Sequence, residues 1–173
     1  MNHLDVAGER QPNLHTGTVR ERIDPDGTLP KLRIDTYRDD DDRVTYGMRR
    51  VRWRLLPETA EGWPPIGHCS VVFEESDHSA HFDGVEIDVD QRGKGIGMAL
   101  YVAAIDFARA EGYSFVTQRA GQSEDAKHIW EFLAEKGIAR VEEEFHKYDR
   151  LVAGKKKFYG KYIIDADSST IEE

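Results

Sequence analysis

Six consecutive residues, Arg92-Gly93-Lys94-Gly95-Ile96-Gly97, carry the clearest chemical signal in the chain. They join a strand-like run, Val85-Glu86-Ile87-Asp88-Val89, to a helix-like run from Ile96 to Ala110. A strand-to-helix turn points several backbone N–H groups and the positive end of a helix dipole at one spot, and that spot suits an anion. Glycine at 93, 95 and 97 lets the backbone approach a ligand closely, and Arg92 and Lys94 add cationic reach. Spacing sorts the anion sites that use such turns. A Walker phosphate loop needs Gly-Lys followed by Ser or Thr, whereas Gly93-Lys94 is followed by Gly95. A dinucleotide fingerprint needs Gly-x-Gly-x-x-Gly, but the third glycine comes one residue early and the preceding strands pattern as antiparallel. Neither ATP hydrolysis nor NAD binding is expected.

Other residues invite chemistry with less support. Glu86 and Asp88 lie two apart, on one face of the strand leading into the loop, and are candidate general bases; the plain alternative is a solvent-facing pair. His68, Cys69, His78 and His81 match no closed four-ligand spacing, so no metal site is expected. A single cysteine, Cys69, excludes an intrachain disulfide and reads as a small buried group. Arg50, Arg52 and Arg54 share a strand face that could meet an anionic acceptor, extended by Lys155 to Lys157; the ordinary state of such a stripe is solvation.

The elements that must position the loop follow from periodicity. Leu32 to Arg38, Arg43 to Leu56, Gly67 to Glu75 and His81 to Asp90 read as strands, with Val51, Trp53 and Leu55 opposite the arginines. Ile96 to Ala110 repeats apolar residues at helical spacing through Ile96, Leu100, Ala103, Ala104 and Phe107. Phe115 to Gln118 is a short strand. Ser123 is a plausible N-cap for a second helix with Ala126, Ile129, Trp130 and Leu133 inward, and Gly137 ends it. Ile138 to Phe145 and Lys157 to Ile164 close the chain as strands. The order, strands first and then βαβαββ, predicts an α/β fold: a mixed, largely antiparallel central sheet with helices packed on it and a β-rich N-terminal half.

At 173 residues the chain suits one domain, expected over 30–165. Residues 1–29 are polar, without periodicity, and read as disordered or extended; 166–173 form an acidic tail. A formal charge of -9 argues against coating a nucleic-acid duplex. No apolar run is long enough to span a bilayer and the first residues lack a signal-peptide core, so a cytoplasmic location and no membrane partner are expected. A dimer is compatible with the sequence, which leaves the oligomeric state open.

The run from Val85 to Leu100 resembles the acetyl-CoA motif of the GNAT superfamily: Arg or Gln, two residues, Gly, one residue, then Gly or Ala, here Arg92, Gly95 and Gly97. The resemblance extends over residues 80–165. It implies acetyl-CoA as co-substrate, with the amides of Arg92, Gly93, Lys94, Gly95, Ile96 and Gly97 around its pyrophosphate. It also implies that backbone groups of Ile87, Asp88 and Val89 pair with the pantetheine arm, one amide polarising the acetyl carbonyl. The implied activity is N-acetyl transfer to a primary amine by direct attack. A lysine-like ammonium, with a pKa of about 10.4, needs a base first, for which Glu86 and Asp88 are the candidates. Ser123 and Trp130 stand where the family commonly has Asn and a thiolate-protonating Tyr, and an indole is far too weak an acid for that task. Tyr148, Tyr159 or Tyr162 then supplies the proton, or the thiolate leaves unaided. The family's two helices after the first strand have no helical pattern to match them in residues 30–84. The alternative is a catalytically degenerate GNAT-like CoA-binding module that engages nucleic acid or a protein partner.

Overall fold

The computed structural model describes residues 18–37, 48–57, 65–117, 122–144 and 160–166. Among the described residues seven strands form one sheet in the order β1-β2-β3-β4-β5-β7-β6. They are β1 (Leu32–Tyr37), β2 (Met48–Pro57), β3 (Gly67–Glu74), β4 (Ser79–Ile87), β5 (Ser114–Val116), β6 (Arg140–Glu144) and β7 (Gly160–Ile164). Only β4 and β5 run parallel; the other described pairs are antiparallel. The mixed, largely antiparallel sheet read from the sequence is therefore the sheet observed.

Alternation explains how the sheet acquires two unlike faces. Trp53 and Leu55 are buried on one face of β2, and the register sets Trp53 opposite Cys69 and Val51 opposite Val71. Arg50, Arg52 and Arg54 take the other face, with His68 and Ser70 of β3 across from Arg54 and Arg52. The apolar face is covered by α2 (Ile96–Ala110) and α3 (Glu124–Glu135). Trp53 and Phe73 meet Phe107 edge-on, and Phe82 meets Tyr101. Phe115 has no exposed surface and packs against Phe82 and Trp130. Truncating such a residue to Ala costs about 3–5 kcal/mol, a large share of the roughly 5–15 kcal/mol that holds a domain folded. The inner stripe of α2 is wider than its apolar repeat suggested: Tyr101, Val102, Ile105 and Ala108 are buried with Leu100 and Ala104, while Phe107 is partly exposed.

The stretch read as disordered or extended holds an element that periodicity could not show. Helix α1 (Val19–Ile23) is closed by a capping box between Thr18 and Glu21. Its first N–H groups, on Val19 and Arg20, donate to the Asp106 carboxylate of α2 at 2.7 and 3.2 Å. Five residues are too few to hold a helix by themselves; buried Val19 and the Asp106 clamp hold this one. Buried Asp24 then accepts from Thr28 and Leu29, folding the chain so that Leu29 and Pro30 pack beside Gly95. Burial disfavours charge on Asp24, but those hydrogen bonds and nearby Arg20 outweigh it and hold the carboxyl below its ordinary pKa.

One irregularity positions the site. Val71 pairs with Phe82 and Ser70 with Gly84, which leaves Asp83 as an extra residue in β4. Such a bulge bends its strand. On the opposite side, among the described residues, β4 meets β5 at Ser79–Ser114 and Ala80–Phe115, beyond which the two strands part. The result is a fork. Strand β4 stays with β3 to Ile87, shorter than the His81 to Asp90 expected, because Val89–Gln91 coils into a 3-10 turn. Gly67 permits this pairing, since a Cβ there would clash with the Glu86 carbonyl oxygen. Among the described residues no helix is long and apolar enough to cross a membrane.

Candidate functional site

The loop from the 3-10 turn to α2 is built as the glycine spacing predicts. Gly93 and Gly95 hold φ of +74° and +78°, in the left-handed region that L side chains rarely adopt. Gly95 is the N-cap of α2 and its carbonyl accepts the first helical bond, from Ala99 N at 3.0 Å. With no side-chain oxygen at the cap, the amides of the first turn are left to other acceptors. Helix α3 differs at the same place: Ser123 Oγ accepts from Ala126 N at 3.2 Å, so its start is satisfied internally. Two hydrogen bonds stiffen the loop, Arg92 Nε to Ile87 O and Lys94 Nζ to Gln91 Oε1, both 3.1 Å.

A groove of about 610 Å³ opens from this loop between the starts of α2 and α3 and runs toward the fork. That volume is in the range of small-molecule sites. Its loop end is polar, with Arg92, Gly93 and Gly97, and its inner end is lined by Val85, Ile87, Tyr101 and Ile129. Among the described residues β4 has no strand neighbour on that side beyond Ala80, so its backbone offers an open edge to an extended chain. Val89, next to the groove, is 77% exposed. The groove thus combines a loop whose free amides suit an anion, an apolar wall and an open strand edge.

The structure gathers most of the expected residues here and separates others. Ile87, Arg92, Gly93, Ile96, Gly97 and Ser123 line the groove, with Lys94 and Gly95 completing the loop. Asp88 and Val89 form the entry to the 3-10 turn, and Asp88 N donates to Ile66 O. Glu86 is exposed and lies beside His68 Nε2 at 3.3 Å. Trp130 is not in the groove wall. It is buried, packed among Tyr101, Phe115 and Tyr162, in keeping with a core aromatic. Tyr162 is likewise buried against it, while Tyr148, Tyr159 and Lys155 to Lys157 lie outside the described residues. Arg50 meets Asp83 at 3.0 Å on the sheet face away from the groove. Cys69 faces the core, where burial pushes its thiol up to about 12, and His68 faces the other side of β3.

Sequence reasoning missed Tyr101. Its side chain lines the groove, and its ring meets that of Trp130 edge-on. Burial raises its pKa well above the usual phenol value, so the hydroxyl stays protonated at neutral pH. The signal was the apolar repeat of α2, one position on from Leu100, but only the packing of α2 against α3 turns that position into the groove.

The model of the acetyltransferase (GNAT) family matches residues 23–137. No curated protein matches the chain. A solved structure of a Klebsiella pneumoniae protein assigned as an acyl-CoA N-acyltransferase is 18% identical, with a TM-score of 0.45 over 68% of this chain and 72% of that one. Nourseothricin acetyltransferase is 13% identical, with a TM-score of 0.45 over 80% and 85%. A tandem GNAT protein from the clavulanic acid biosynthesis pathway is 19% identical, with a TM-score of 0.41 over 57% of this chain and only 30% of that one.

Proposed function

As the chain belongs to the GNAT acetyltransferase family, we propose that it binds acetyl-CoA in the groove between α2 and α3 and transfers the acetyl group to a primary amine by direct attack. The observation that carries this reading is the uncapped, glycine-built start of α2 opening onto the groove and the fork. Acetyl-CoA supplies an activated thioester and a pyrophosphate. The amides of Ile96, Gly97 and Met98 hold the pyrophosphate, as orphan N–H groups at a helix start do for anions. Arg92 and Lys94 add charge at the rim. The open edge of β4 pairs with the amides of the pantetheine arm, and Val85, Ile87 and Ile129 exclude water from it.

Tyr101 takes the role that the sequence left to Tyr148, Tyr159 or Tyr162. A phenol above its ordinary pKa of about 10 is a weaker acid than a thiol near 8.5, so its contribution is a hydrogen bond to the developing thiolate, not a completed proton transfer. Trp130 serves this function from behind by packing edge-on against the Tyr101 ring. Release of free coenzyme A in the presence of primary amines tests the proposal: an enzyme releases it, whereas a binding module takes up acetyl-CoA and releases none.

A further inference from the structure

We propose that His81, positioned by Glu74, is the base that deprotonates the acceptor amine, in a hollow on the sheet face opposite the groove; this rests on the acyl transfer proposed above. The hollow measures about 440 Å³, and its wall includes Glu74, His81, Asp83, Val116 and Thr117. Those residues of β4 and β5 flank the point where the two strands part, just past Ala80 and Phe115. Farther along β4, Val85 and Ile87 line the groove instead. Asp83 to Val85 is two residues, about 7 Å of strand, so the two cavities reach one fork from opposite faces. An arm lying along β4 from the groove and an amine entering from the hollow meet there.

Within the hollow the ring has a defined orientation. The hairpin register places Glu74 and His81 diagonally on one face, with Glu74 opposite Ser79 and Val72 opposite His81. His81 Nδ1 lies 3.5 Å from Glu74 Oε1, and both side chains are 19% exposed, sheltered yet reachable. With Nδ1–H turned to the carboxylate, a neutral ring carries its lone pair on Nε2. Glu74 then stabilises the imidazolium that forms. The other charged residues in the wall of the hollow, among those described, are Asp77, Asp83, Arg140, Lys161 and Asp165. Most of these pair with one another or with neighbours: Asp83 with Arg50, Arg140 with Asp165, and Lys161 with Glu142. Glu86 and Asp88, the bases expected from sequence, lie beyond the fork, and both are exposed.

The proton balance is closed. The acceptor ammonium gives one proton to His81 Nε2, and the freed lone pair forms the C–N bond to the acetyl carbon. The C–S bond breaks with its electron pair going to sulfur. The second nitrogen-bound proton, lost as the amide forms, neutralises the thiolate, and His81 returns its own proton to solvent.

The test measures coenzyme A release by the full chain at saturating acetyl-CoA, with spermidine, a lysine-containing peptide and kanamycin as acceptors. Wild type, His81→Gln, Glu74→Gln and Glu86→Gln are compared from about pH 6 to about pH 10. His81→Gln is expected to lose about 100- to 10,000-fold in kcat/KM near pH 7 with acetyl-CoA affinity unchanged. The loss shrinks as pH approaches the amine pKa of about 10.4, where the acceptor is already deprotonated. Glu74→Gln is expected to lose about tenfold, and Glu86→Gln to stay within about twofold. A His81→Gln rate within about threefold of wild type, or a loss that high pH does not relieve, overturns the assignment while leaving acyl transfer standing. A wild type that binds acetyl-CoA but releases no coenzyme A with any acceptor overturns the assignment together with the transfer reading.

Discussion

Replacing Gly97 with Ala should move stability and cofactor affinity in opposite directions. Gly97 lies in the first turn of α2 with an ordinary helical backbone, and a Cβ there would sit 3.8 Å from Ile129 Cδ1, normal van der Waals contact. Nothing in the fold resists the methyl group. Relief of glycine's conformational entropy in a helix is worth up to about 0.5–1 kcal/mol. For a domain of this size that amounts to at most about 2–4 °C in Tm. The same methyl group points into the groove and keeps the pyrophosphate from the first-turn amides. Loss of one hydrogen bond to a charged group costs about 1.5–3 kcal/mol, which weakens acetyl-CoA roughly 10- to 150-fold. Gly95→Ala is the control. Its φ of +78° and the approach of Pro30 Cδ to 3.3 Å predict destabilisation of about 1–3 kcal/mol. Thermal melts and calorimetry on the two variants read both quantities. A Gly97→Ala protein that binds acetyl-CoA like wild type refutes the placement of the pyrophosphate.

Three other outcomes follow from particular contacts. Tyr101→Phe should lower kcat by about 10- to 100-fold with acetyl-CoA affinity preserved, measured by steady-state coenzyme A release; an unchanged kcat removes Tyr101 from the chemistry. Gly67→Ala should destabilise the fold and loosen the end of β4, because the new Cβ meets the Glu86 carbonyl; hydrogen exchange at Ile87 and Asp88 reads this directly. Asp24 has a folded-state pKa below the ordinary carboxyl value of 3.8, so its contribution is present above that value and is lost as pH falls through the folded pKa. The Tm difference between wild type and Asp24→Asn should therefore hold at neutral pH and close in acid below pH 3.8.

The loop was legible because its constraint is local: glycines at fixed spacing between a strand and a helix can be read without knowing what packs on them. Strands β2 to β4 were legible for a similar reason, since Val51, Trp53 and Leu55 alternate with three arginines. Helix α1 was not, because its stability comes from Asp106, more than eighty positions away. Tyr101 and the Glu74–His81 pair were hidden for another reason. The first needs the approach of α2 to α3, and the second needs a hairpin register that brings residues seven apart in sequence to one face. The fork itself follows from the parting of β4 and β5, whose pairing covers just two residues on each strand and leaves almost no sequence trace.

The central claim is that the groove at Arg92 to Gly97 binds acetyl-CoA, and titration calorimetry on the full chain tests it most directly. Saturable binding with one site per chain and a Kd below about 1 mM is the predicted result, in keeping with the usual range of enzyme–substrate affinities. Heat that fails to saturate at millimolar acetyl-CoA contradicts the account.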